Sequence, residues 1–436
     1  MRMRFAFSFM LVCLFCSMAH CQQLAPPISC SLATCHGSTN ASAPPWNTAV
    51  SQWATNDPHA NAGLTLLSPR SLGILQRLVR TEAEVGSEAY DQAINATRKE
   101  LCITCHTTVE SADASAEVPH LLGFGVTCDA CHTNSQVWLT QHVESGWKRK
   151  SFAEFNDMTI TANRATTCVK CHVGSSRPVV RDVNHDLIAA GHPMLRFDLL
   201  IHNARLEQTR HWDKTLAESN ENADELTVRQ VGRAAAIIAA TDLSVHRANT
   251  PTSPFPEFAD YDCFACHSPV KSTRELPRQS AQLNLAWNPW FAHGIGTRAG
   301  EEPLALTMAA IRNSNNARSR IAAAAAAVNA AYQDRLKASN FLPAAEHEVL
   351  LSELTFPRWH DAARITLTLE AKYAETPDGR EKLKRLREIL QLEGPEYTPS
   401  MFRIDFRSNS NHATTFSPAD FVGEVKQLLK IQESPR

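Results

Sequence analysis

The sequence predicts a mainly α-helical protein, and three observations carry that reading. Several segments repeat apolar residues at helical spacing. No stretch alternates in the manner of an extensive sheet. Ten of the 13 cysteines fall into five close pairs, each followed at once by a histidine, which is a site-forming pattern rather than a strand pattern.

The elements follow in chain order. Arg2 and Arg4, the short apolar run 5–16 and the small residues Ser17-Met18-Ala19 read as an export signal over 1–19, cleaved after Ala19. The alternative is cleavage before Cys21 with a lipid anchor on that cysteine, although Met18-Ala19-His20 is a poor lipoprotein box. A cysteine-rich domain, 20–275, comes next, with helices expected over 70–86 and 225–240. Pro251 to Pro256 and Trp287-Asn288-Pro289-Trp290 read as irregular connections, and no cysteine follows residue 275. A second unit, 276–436, is expected to be a helical bundle, with helices over 304–311, 317–337 around an alanine run, 361–374, 381–392 and 418–429. Leu383, Leu386, Ile389 and Leu390 share one apolar face there, with Lys and Arg opposite.

Bulk properties narrow the classes. A hydrophobic content of 43% is that of a folded globular protein. The formal charge of -2 falls to about -4 once Arg2 and Arg4 leave with the signal, which argues against nucleic acid as a partner. After the leader no stretch is apolar for long enough to span a bilayer, so a soluble or peripherally membrane-associated protein is expected.

The cysteines decide the chemistry. Cys102 and Cys105 precede His106, Cys128 and Cys131 precede His132, Cys168 and Cys171 precede His172, and Cys263 and Cys266 precede His267, four copies of CxxCH. Cys30 and Cys35 precede His36 in a CxxxxCH variant. Two thiols at this spacing can add to the two vinyl groups of a porphyrin, and the following imidazole then reaches the iron from one face. Chance would supply roughly 0.02 CxxCH matches in such a chain. Structural disulfides have no reason to place His after every second cysteine. A thioredoxin-type site would need one pair in a strand and helix frame, and zinc would take cysteines in fours or mixed with distant histidines. Five covalently attached haem c groups are therefore expected, the fifth of them at the Cys30 variant. So many haems in one domain leave little chain for a conventional core, so the haem faces themselves must fill much of it.

Five six-coordinate haems need five further ligands. His185 and His192 in the Asn184 to Pro193 segment stand two helical turns apart, and both can face one side and serve different haems. His59 in Asp57-Pro58-His59-Ala60 starts a helix between the first two sites, and His142 follows Trp138-Leu139-Thr140-Gln141 shortly after the third. The contexts of His120, His202 and His293 favour ordinary hydrogen-bonded histidines, and His211, His246, His347, His360 and His412 read as surface or core residues. No Met has a context that marks it as a ligand.

At this point the chain resembles the cytochrome c-554 family of multihaem cytochromes, a branch of the group that includes hydroxylamine oxidoreductase. The resemblance rests on Asp57-Pro58-His59-Ala60, on Gly125 to His132, on Cys171-His172-Val173-Gly174, on Asn184 to Pro193, on His211-Trp212 and on Tyr261 to His267, roughly residues 28–270. It implies helices and loops wrapped around stacked haems, mainly bis-histidine coordination and electron transfer. It favours His59, His185 and His192 as distal ligands and supports His142. Three positions depart from the family pattern: the widened first loop, Ser268 where a second His is frequent, and Thr133 where Gly is common.

The expected function is electron transfer outside the cytoplasmic membrane, with redox proteins as donor and acceptor and no catalytic residue. The alternative is an oxidoreductase acting on a small nitrogen or sulfur compound at one five-coordinate haem. The absence of a CxxCK site argues against a nitrite reductase of the pentahaem type. The sequence leaves the oligomeric state open.

Overall fold

The computed structural model describes residues 30–108, 122–145, 147, 154–209, 225–253, 257–260, 318–338, 362, 365, 366, 369, 377–390 and 417–429. The expected leader with Cys21, the fifth motif (Cys263, Cys266 and His267) and the 304–311 segment lie outside the described residues. Their regular elements are all helices, joined by turns and irregular segments, with one isolated bridge between Ser175 and Arg181 and no strand among the described residues.

The first helix, Pro45–Asn56, opens on prolines that fix the backbone angle of its first turn and need no hydrogen-bond acceptor there. The helix expected over 70–86 runs only Pro69–Leu78. Ser68 caps it by accepting from the Ser71 N–H at 3.2 Å, and the chain turns extended at Val79. Val79 and Ala83 fold back onto Leu75, Tyr90 and Ile94, a tertiary contact that overrides the local helical pattern. Gly86, at φ +88, then leads to Ser87, which accepts from the Tyr90 N–H and starts the Glu88–Leu101 helix. Acidic Glu88 and Asp91 in its first turn and basic Arg98 and Lys99 in its last complement the helix dipole.

The helix predicted over 225–240 continues to Asn249. With Thr161–His172 and Leu199–Gln208 it encloses a core of Ala165, Val169, Phe197, Leu199, Val231, Ala235 and Ala239, against which Leu336 also packs. Small residues allow the backbones to approach closely: a Cβ at Gly232 would stand 2.4 Å from the Leu199 Cβ. The Arg318–Ala338 helix packs along the Glu225–Asn249 helix, burying Ala325, Val328 and Tyr332. Asn329 Nδ2 donates across this contact to the Ile238 carbonyl at 2.8 Å and to Thr241 Oγ1 at 3.1 Å.

Within the predicted 361–374 helix, Ala362, Ile365, Thr366 and Leu369 are described, all helical and buried on one face. The segment expected over 381–392 is helical over Pro377–Leu390, and 418–429 is helical over Pro418–Leu429. These last two helices meet through fully buried Leu383, Leu386, Leu390, Phe421 and Val425, each such side chain contributing about 1.5–3 kcal/mol.

The segment between His185 and His192 does not form a two-turn helix. Asn184 caps a short helix, His185–Ala189, by accepting from the Leu187 N–H at 3.0 Å, and Gly191 at φ +113 then breaks away. Gly191 therefore ends the helix before His192 is reached, and the two histidines do not share one helical face.

Candidate haem-binding site

Three described motifs share one local geometry. Cys102 to His106 is a single helical turn, with the Cys105 and His106 N–H groups donating to the Cys102 carbonyl at 3.2 Å each. Cys128–His132 is likewise one turn, and Cys168 to His172 is the last turn of the Thr161–His172 helix. On a helix, positions i, i+3 and i+4 lie on one face, so CxxCH sets both thiols and the imidazole side by side. CxxxxCH cannot do this helically. Cys30 to His36 forms turns instead, in which Asn47 Nδ2 donates to the carbonyls of Ala33 (3.1 Å) and Cys35 (2.6 Å).

The eight described motif cysteines form no disulfide. Burial pushes the thiols of Cys102 and Cys168 up to about 11 and that of Cys128 up to about 12, whereas the hydrogen bond with Cys105 brings the Cys171 thiol down to about 7. Motifs distant in sequence meet. Cys128 lies within electrostatic reach of Cys30, Cys131 within reach of Cys168 and Cys171, and Cys105 within hydrogen-bond reach of Cys171.

The imidazoles pair across the chain. His36 faces His142 with ring centres 6.2 Å apart, His59 faces His172 at 6.1 Å, and His106 faces His192 at 6.4 Å. A metal–imidazole bond of about 2.0–2.1 Å plus about 1.1 Å from nitrogen to ring centre puts two imidazoles on one metal about 6.2–6.4 Å apart. The donor sets thus fit iron held between two histidines.

The protons agree with this. The Nδ1 of His36 donates to the Trp46 carbonyl (2.5 Å), that of His142 to Leu139 (2.5 Å) and that of His192 to Pro193 (2.7 Å). His106 Nδ1 meets the Ala62 carbonyl at 2.9 Å and Thr65 Oγ1 at 3.1 Å. A carbonyl only accepts, so Nδ1 carries the proton and Nε2 keeps its lone pair for a metal. Burial lowers His106, drives His172 well below its ordinary value and takes His192 down to about 4, so these rings are neutral as ligands must be. His59 goes the other way. Burial pulls it down, but the hydrogen bond and charge of Asp57 more than offset that.

His59 sits in the turn Pro58–Asn61, and its carbonyl accepts from the Val126 N–H at 2.9 Å. Gly125, at φ +58, brings its backbone so close that a Cβ would stand 2.4 Å from the His59 oxygen. This ties the lead-in of the third motif to a histidine that faces the fourth. Trp53 Nε1 adds a bond to the Val126 carbonyl at 3.0 Å.

His132 packs against Phe155, which also meets Trp138 and Trp147. His185 meets Phe258 at 5.7 Å, and its backbone N–H donates to buried Glu257 at 2.8 Å. Close by, Arg247 grips Asp182 through two nitrogens, at 2.5 and 2.9 Å, and Asp260 through the third at 2.6 Å. Thr133, where the family pattern favours glycine, stands at φ +62, a conformation that costs a β-branched residue strain.

Sequence reasoning missed several contributors. His202, read as an ordinary histidine, packs its ring 4.6 Å from His172, with Nδ1 on the Asp198 carbonyl at 2.8 Å. Asp57 was legible as the first residue of an Asx turn, whose side chain accepts from the N–H two residues on. No sequence pattern announces Asn47 or Arg247.

Residues 29–133 match the family model described as cytochrome c554 and c-prime. Over this segment the chain is similar to the cytochrome c554 family. The match supports a c-type cytochrome, with haem c as its cofactor and electron transfer as its activity. The match to the cytochrome c554 model takes in the first three motifs, the widened Cys30 site among them, while the resemblance read further, to residue 270, lies beyond it. Comparison with curated proteins and with solved structures gives no match. No helix among the described residues is long and apolar enough to cross a membrane.

Proposed function

We propose that this cytochrome carries electrons outside the cytoplasmic membrane through five haems, between a redox protein that donates and one that accepts. The carrying observation is the repeated spacing of 6.1–6.4 Å between a motif histidine and a distant one. When bound, haem c supplies an iron that takes up and releases one electron at a time. His36 with His142, His106 with His192 and His172 with His59 would hold three of the groups from both faces, and the cysteines before each motif histidine would anchor their edges. With an imidazole available on each side, these sites would favour electron transfer over binding of a small substrate.

The order of the sites in space differs from that in sequence. Proximity of Cys30 to Cys128, of Cys131 to Cys168 and Cys171, and of Cys171 to Cys105 supports a path that visits the first, third, fourth and second sites in turn. His132 and His267 would bind the third and fifth haems on one face, and His185 would supply a further ligand. The haem domain would span 20–275, with 276–436 as a helical unit packed on it. The protein would be exported by cleavage of 1–19 or anchored through lipid at Cys21, in keeping with the periplasmic or extracellular setting typical of its family.

The test is the intact mass of the exported protein together with EPR spectra with and without added small ligands. A mass increase of five haems and spectra dominated by low-spin signals indifferent to ligand are expected. Four haems would remove the Cys30 site, and a high-spin signal that shifts on adding nitrite or sulfite would favour the oxidoreductase instead.

A further inference from the structure

The second partners of the paired imidazoles differ at one site. His36, His142 and His192 give their Nδ1 proton to backbone carbonyls, and His106 to a carbonyl and a hydroxyl, all neutral acceptors. His59 gives its own to a carboxylate, Asp57 Oδ1, at 2.8 Å. Asp57 is 6% exposed, and the same oxygen accepts the His59 backbone N–H at 2.9 Å, so the side chain is fixed from two directions. Its charge also reaches Cys131 of the neighbouring motif.

A carboxylate accepting the Nδ1 proton draws that proton toward itself and leaves Nε2 more electron-rich than a carbonyl does. An electron-rich axial ligand, with a buried negative charge behind it, stabilises ferric over ferrous iron. We infer that Asp57 is a positioning and tuning residue that lowers the reduction potential of the haem held by His59 and His172 below the value its ligands alone would give. The inference rests on the pairing proposed above. In the order first, third, fourth, second, this site is interior. It would pass electrons on rather than store them.

The test uses the haem-loaded full-length protein, titrated spectroelectrochemically and followed by EPR. Asp57→Asn keeps an oxygen for both N–H groups and removes the charge. One component of the titration should move to higher potential, with one low-spin EPR signal altered, the remaining components in place and the haem count by mass unchanged. A titration that overlays the parent's at full haem content overturns the inference. Asp57→Ser, which caps the same turn without charge, should shift the same component upward, and a Ser variant that leaves it unmoved also overturns it. His59→Gly separates this from failure of the pairing. It should replace the same low-spin signal by a high-spin one that added imidazole restores, and if no high-spin signal arises the pairing itself falls.

Discussion

Asn47 holds the widened loop of the first motif by donating to the carbonyls of both Ala33 and Cys35. A CxxCH motif needs no such staple because its own helical turn orders it. Replacing Asn47 by Ala removes both hydrogen bonds, at about 0.5–1.5 kcal/mol each, since the Ala33 carbonyl is exposed and that of Cys35 half-buried. The expected result is an exported protein in which a fraction is one haem lighter by intact mass, with the four CxxCH sites filled.

Thr133 reverses the usual ranking of glycine and alanine. Its Oγ1 bonds to the His132 carbonyl at 2.5 Å and to that of Glu154, while its backbone sits where a Cβ is strained. Thr133→Ala loses the bonds and keeps the strain, and Thr133→Gly loses both. The glycine variant should therefore be more stable than the alanine variant by about 1–2 kcal/mol, read as a higher Tm.

Buried Arg247 neutralises a cluster of half-buried Asp182 and Asp260 with buried Glu257, just ahead of the fifth motif. Arg247→Met should destabilise the protein by about 1–3 kcal/mol at neutral pH, because the carboxylates lose their cation in a site only partly open to water. Burial raises Asp260 and Arg247 opposes that rise. A carboxyl raised in the folded state contributes stability below its unfolded value and loses it as pH climbs through the folded one. Without Arg247 this loss deepens, so the penalty measured by thermal melting should be larger at pH 7 than at pH 4.

His202 is pushed down to about 4, first by burial. A histidine lowered in the folded state withdraws stability as pH falls from 6.5 toward 4, since the unfolded chain takes the proton first. For this residue the loss is about 3 kcal/mol at most. His202→Phe should flatten the decline of Tm between pH 6.5 and 4 relative to the parent, with little change at pH 7.

The motif sites were legible because their chemistry is local: thiol spacing and the following His are fixed within one turn of helix. The long helices were legible from periodicity, and the 225–249 helix outran its expected end because its later turns bury Leu243 and Ala248 in tertiary contact. What local pattern could not give is set by distant contacts. Val79 leaves its helix to pack on Tyr90 and Ile94, and Gly191 ends the His185 helix before the second histidine is reached. His59, His142 and His192 were singled out in sequence, yet which motif each faces is fixed by three-dimensional closure alone.

That closure bears on how the molecule can be made. Each facing pair joins a residue from the early chain to one far downstream, and the motif neighbours interleave in the same way. A ribosome or export channel delivering the chain from its start therefore releases the first two motifs well before His142, His172 and His192 exist to meet them. Cofactors attached at those motifs would wait half-enclosed until the later segment arrives, so a chain cut short ahead of residue 142 would keep the first three attachment points and lose every facing pair.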